Sequence, residues 1–139
     1  MRTDTAGATT TVTNAAGAQW TSGMTEGYSI AWPYNPTATM DFVNAGTLTK
    51  NGGMAILGHT NGTFNLTNTG TIEVPSGELR LEGSLVVLDL PGTLRLATNG
   101  STKPLVRQGA LTIAGTLEVV FASGYDPANG TTVRLIDYT

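Results

Sequence analysis

Ten carboxylates, a single histidine, two tryptophans and four tyrosines carry most of the chemical capacity of this 139-residue chain. Paired carboxylates can cleave a glycosidic bond when they stand about 5–9.5 Å apart across a substrate cleft, a separation usually built by long loops. Only Glu78 and Glu82 recur at an interval that suggests such a pair, and Arg80 lies between them. On a strand all three share one face, which is the pattern of ordinary surface charge. His59, in "LGHTNG", sits among turn residues with no partner nearby in the chain and reads as a solvated loop residue. No serine lies in a Gly-x-Ser-x-Gly setting. The Asp cluster and basic catalyst of a calcium-dependent lyase are also missing from the sequence. With no cysteine, disulfides, thiolate metal sites and a thiol nucleophile are excluded. The expectation is a protein that is not an enzyme, with no catalytic residues, metal ligands or cofactor.

Two non-catalytic chemistries remain. Trp20, Tyr28, Trp32 and Tyr34 fall in or beside "TSGMTEGYSIAWPYNP", residues 21–36. These aromatics could stack on a sugar ring. They could equally cap the open end of a β-structure, with Pro33 and Pro36 stopping further strand pairing. Threonines offer the second chemistry, because flat threonine arrays can order water. Thr47, Thr71, Thr93 and Thr116 form one series, but two residues on stand Thr49, Glu73, Arg95 and Glu118. Three charges in four places spoil a flat array, so strand and corner preference explains the threonines better.

The elements that must position these side chains are strands. Charged residues make up only 12% of the chain and hydrophobic ones 40%, with 18 glycines. The longest apolar run, Leu85–Leu88, is strand-sized and far short of the roughly 18 residues that a membrane-spanning helix needs. Net charge is −3 with no basic cluster, so the field that nucleic-acid phosphates require is missing. The opening "MRTDTAGATTTVT" has no apolar core of a signal peptide. The expectation is that export information was removed, that the chain is an excised piece, or that it leaves by another route.

A short phrase restarts through the chain: Gly46-Thr47-Leu48, Gly70-Thr71-Ile72, Gly92-Thr93-Leu94 and Gly115-Thr116-Leu117, at intervals of 24, 22 and 23 residues. Two positions past the first aliphatic stand Val74, Leu96 and Val119, with Lys50 as the exception, and polar residues lie between. This period-2 alternation marks one half-buried strand per repeat. Two more short strand candidates follow in each repeat, such as "ELRLE" at 78–82 and "SLVVLDL" at 84–90.

A right-handed parallel β-solenoid (β-helix), with three short strands per coil of about 23 residues, satisfies this pattern. An antiparallel sandwich would not need a fixed repeat length. One coil cannot bury its own aliphatics, but stacked coils make continuous columns, here Leu48, Ile72, Leu94, Leu117 beside Val74, Leu96, Val119. Asn44 and Asn68 share an offset before the corner, where their amides could bond along the stack. Residues 1–40 are expected to form an N-terminal cap or irregular first coil. Residues 41–139 are expected to form the solenoid coils, ending in a hairpin-like coil around the Asp126–Gly130 turn.

From Asn44 to Leu48, Asn68 to Ile72, Gly115 to Val119, Gly124 to Pro127 and Leu135 to Tyr138, the phrasing resembles the repetitive β-solenoid regions of bacterial secreted and cell-surface proteins, autotransporter passengers included. The resemblance covers about residues 41–139 and carries solenoid grammar rather than a catalytic signature. Such proteins usually have many more coils, and the Gly-Phe that commonly follows the last strand is missing here. A fragment, or a subunit completed by its neighbours, is therefore expected. The resemblance implies an extracellular or cell-surface structural protein whose coils stack head to tail, or onto a longer chain, in a fibre, stalk or surface layer. An adhesin or carbohydrate-binding module using the Trp20–Tyr34 region, with a glycan as partner, is the alternative. Nucleic acid and membrane insertion are not expected.

Overall fold

In a computed structural model that describes residues 1–25, 31–89 and 91–139, the chain is all-β and winds as a parallel β-solenoid. The strands are β1 (Arg2–Thr3), β2 (Thr9–Asn14), β3 (Gln19–Ser22), β4 (Trp32–Pro33), β5 (Thr39–Asn44), β6 (Thr47–Lys50) and β7 (Met54–Gly58). They continue with β8 (Thr63–Asn68), β9 (Thr71–Val74), β10 (Glu78–Leu88), β11 (Thr93–Thr98), β12 (Leu105–Ile113), β13 (Thr116–Phe121) and β14 (Ile136–Tyr138).

Three faces surround one core. The repeat phrase builds the face β3-β6-β9-β11-β13, in which every neighbouring pair is parallel. A second face stacks β2, β5, β8 and the later halves of β10 and β12. The third stacks β7, the first halves of β10 and β12, and β14. At its other end β1 pairs with β4, which meets β7 through the Gly58 N–H donated to the Ala31 carbonyl at 2.8 Å.

The expected repeat register is present. Leu48, Ile72, Leu94 and Leu117 are consecutive partners, and Trp20 extends their column by one coil. Val74, Leu96 and Val119 form the adjacent column. Phe42, Leu66 and Val86 stack inside the second face, and Ala55, Leu79 and Leu105 inside the third. These side chains are buried except at the two ends, where Trp20 is half-buried and Leu117 and Val119 remain 40% and 41% exposed. The expectation that the whole leucine column is buried therefore fails at Leu117. β13 has a neighbouring strand on one side only, so the outer flank of Leu117 and Val119 stays in water.

The glycine of the repeat phrase is required by close approach. A Cβ on Gly70 would lie 2.1 Å from the Gly46 carbonyl oxygen, one on Gly92 2.2 Å from Asn68 O, and one on Gly115 2.1 Å from Gly92 O. Backbone passes directly over backbone at this corner, so a side chain has no room. A different requirement acts at Gly83, where φ is +142° and the chain turns from the third face to the second without leaving the ladder. The two strand candidates at 78–82 and 84–90 thus join into one bent strand, β10, with its register shift at that corner.

Asparagines seal the neighbouring corner. Asn14 donates through Nδ2 to Asn44 Oδ1 at 2.7 Å, and Asn44 donates to Asn68 Oδ1 at 2.6 Å. Each amide also reaches a backbone carbonyl of the following coil, as Asn44 Nδ2 does with Thr71 O at 2.9 Å. The amides thus bond along the stack and to backbone at the corner, so this buried polar column keeps its hydrogen bonds. At the far end, β14 lies parallel to β12, with Leu105 opposite Ile136, rather than folding back antiparallel on β13. The 122–135 segment is a long excursion and not a hairpin turn.

Candidate functional site

The molecule has two dissimilar ends. At the N-terminal end the inward positions of β2 and β3 are Thr10, Val12, Asn14, Trp20 and Ser22. They are small or polar apart from Val12, which is 7% exposed, and Trp20, whose ring packs 5.2 Å from that of Phe42. At the C-terminal end the last coil presents Ile113, Leu117, Val119 and Phe121, all at least 40% exposed, and Tyr138 at 62%. Isolated exposed aliphatics are unremarkable on a protein surface, but a contiguous set on unpaired strands is not.

The strand edge there is also free. Thr116 donates its N–H to Gly92 O, and the Ala122 N–H goes to Thr98 O, so even-numbered residues bond back to β11. In a strand alternate residues face opposite edges. The N–H and C=O groups of Leu117, Val119 and Phe121 therefore point away from β11, along the open edge of the sheet. Apolar side chains and unpaired backbone groups coincide at these three residues.

Two cations inside the solenoid mark where columns are interrupted. Lys50, fully buried, occupies the column position one coil before Val74 and donates through Nζ to the Asn51 carbonyl at 2.8 Å and also to that of Gly52. Burial lowers its pKa from the ordinary lysine value. Arg107, also fully buried, aligns with Leu81 and Tyr138. Its guanidinium binds the carbonyls of Leu81 (2.7 Å), Gly83 (3.1 Å) and Ala110 (2.7 Å), as well as that of Gln108. Burial lowers its pKa too, against an opposing effect from Tyr138. Sequence reasoning placed Lys50 outside the apolar pattern and passed over Arg107. Both keep inward parity with their neighbours, Leu48 for the one and Leu105 for the other, and that parity was the available signal.

The outer charges line up as the alternation predicts. Arg95 stands 2.9 Å from Glu118 and 3.7 Å from Glu73, and Thr49 donates to Glu73 at 2.7 Å. The Glu118 carboxylate, by hydrogen bond and charge, raises the Arg95 pKa. On the third face Glu78 pairs with Arg80 at 2.5 Å, and Glu82 lies one step along the same face, in register with Gly58. Lys103 pairs with Asp137 at 2.6 Å, and that hydrogen bond leads the effects lowering the Asp137 pKa.

The aromatic candidates are dispersed. Trp20 is half-buried against the core, Trp32 pairs with Arg2 on the third face, and Tyr34 is exposed with the Arg2 guanidinium 4.8 Å above its ring. Tyr28 lies outside the described residues. His59 accepts a hydrogen bond from the Asn61 N–H at Nδ1 within its turn. A cleft of about 520 Å³ runs along the corner that includes Gly53, Gly77 and Thr102, with Glu78 and Lys103 on its walls. Among the described residues no group of three or more His, Asp or Glu side chains converges to hold a metal ion.

The chain matches no protein-family model, and comparison with curated proteins and with solved structures gives no significant match. The class that fold and ends define is a parallel β-solenoid whose first coil turns mostly small or polar residues inward and whose last coil leaves apolar ones exposed.

Proposed function

We propose that this protein is a non-catalytic structural element, a β-solenoid that joins end to end with further solenoid coils as part of a fibre, stalk or surface layer outside the cell. The observation that carries the reading is the unfinished C-terminal coil, where apolar columns and a free strand edge end together at Leu117, Val119 and Phe121. Docking another coil there removes apolar surface from water and pairs the exposed backbone in one step. The extracellular setting rests on the Asn-x-Gly-Thr phrasing shared with secreted and cell-surface solenoids. A glycan-binding role draws less support, since the Trp20 ring packs against Phe42 and Tyr34 sits under Arg2. Light scattering of the purified chain over a wide concentration range tests the proposal. Association that grows with concentration supports it, and a monomer throughout overturns it.

A further inference from the structure

Granting that end-to-end reading, we infer that the partner at the open end is the same end of a second copy, joined about a two-fold axis through Val119, so that two β13 strands pair antiparallel. Three observations lead there. The first is the mismatch of the ends. A head-to-tail contact in the coil register would set Leu117 on Trp20 and Leu111 on Val12, but Val119 on Ser22 and Ile113 on Asn14. A second C-terminal end would instead bring an apolar side chain to the positions that Ser22 and Asn14 would otherwise meet.

The second observation is the direction of the free backbone groups. Because Leu117, Val119 and Phe121 present both N–H and C=O to the open edge, an antiparallel neighbour must pair odd residues with odd residues. The third is charge. Pairing Leu117 with Val119 across the axis would set Glu118 directly opposite its own copy, and like charges directly opposite are destabilising. Pairing Leu117 with Phe121, with Val119 on the axis, sets Glu118 opposite Val120 and overlaps the full apolar triplet. Glu118 meanwhile keeps its ion pair with Arg95. The same axis exchanges the other two faces, laying the Leu111 and Ile113 positions of one copy against Ile136 and Tyr138 of the other. Such a contact is isologous and closes at two copies, so a fibre or layer would be built from these pairs through contacts other than the C-terminal ends.

The absence of cysteine makes the test clean. In an antiparallel pair Val119 and its symmetry mate lie about 5.5 Å apart, within disulfide reach. Under mild oxidation Val119→Cys should form a covalent dimer and nothing larger. A Thr21→Cys/Glu118→Cys chain places one thiol at each end and should form no ladder of oligomers. Sedimentation velocity of the unmodified chain should show monomer and dimer only. Val119→Lys, with an unchanged circular dichroism spectrum, should weaken the dimer by about tenfold or more. A ladder from the double variant overturns the two-fold arrangement while leaving end-to-end stacking in place. A dimer that neither cross-links through Val119→Cys nor weakens with Val119→Lys overturns the assigned interface. A monomer at every concentration overturns the inference and the stacking proposal together.

Discussion

Ile72 and Leu117 occupy the same column, two coils apart, yet their truncation should cost different amounts. Ile72 is fully buried between Leu48 and Leu94, whereas Leu117 is 40% exposed with a neighbour on one side only. Changing either residue to alanine removes three carbon atoms. At Ile72 those atoms leave a cavity bounded by coils above and below, and such truncations cost about 2–5 kcal/mol. At Leu117 water fills the space, so only the transfer contribution is lost. At about 0.8 kcal/mol per fully buried methylene, with roughly 0.6 of the side chain buried, the loss is roughly 1.5 kcal/mol. Urea unfolding at dilute protein, where the free end stays free, measures both, with an unchanged slope confirming that the same surface unfolds. Equal losses would refute the reasoning, because they would mean that Leu117 is covered as fully as Ile72.

Asn44→Ala should destabilise the fold by about 1–3 kcal/mol, because it strips Asn68 Oδ1 of its donor and the Asn14 amide of one of its two acceptors in a buried corner. Asn14→Ala, at the end of the ladder, should cost less in the same thermal melt. Lys50 has a folded-state pKa below its ordinary value of 10.5. Between those two values the unfolded chain holds the extra proton, so stability should rise with pH through that window. Lys50→Met removes this dependence, and the gap in melting temperature between variant and parent should therefore move in the parent's favour as pH rises. Arg95→Glu places three carboxylates in one outer ladder and should lower the melting temperature, more so at low salt. Adding Glu73→Lys should recover part of that loss. Simple addition of two independent losses would contradict the register.

The repeat was legible because two signals agreed: a glycine that the close backbone crossing makes obligatory, and a strict alternation after it. Leu48, Ile72, Leu94 and Leu117 could be aligned on those grounds, and so could the exposed Glu73, Arg95 and Glu118. Asn14 was harder to see. It joins the ladder in register with Asn44, but the first coil carries one more residue before its glycine, so the phrases do not superpose. Lys50 and Arg107 were illegible for a chemical reason. Alternation assigns inside and outside from polarity, and both cations lie inside because corner carbonyls need donors. The state of the ends depends on which coils have neighbours, a property of assembly that a repeat pattern does not encode. The aromatic stretch misled through composition: Trp20 and Tyr34 are near in sequence, yet one enters the core and the other lies beneath Arg2.

Amide hydrogen exchange at low and high protein concentration, resolved by residue, tests most directly whether the C-terminal coil is the joining end. Exchange at Leu117, Val119 and Phe121, whose N–H groups face the open edge, should be fast in dilute solution and slow markedly as concentration rises. Thr9, Thr11 and Thr13 on the opposite end should not change. Protection that grows equally at both ends, or at neither, would contradict it.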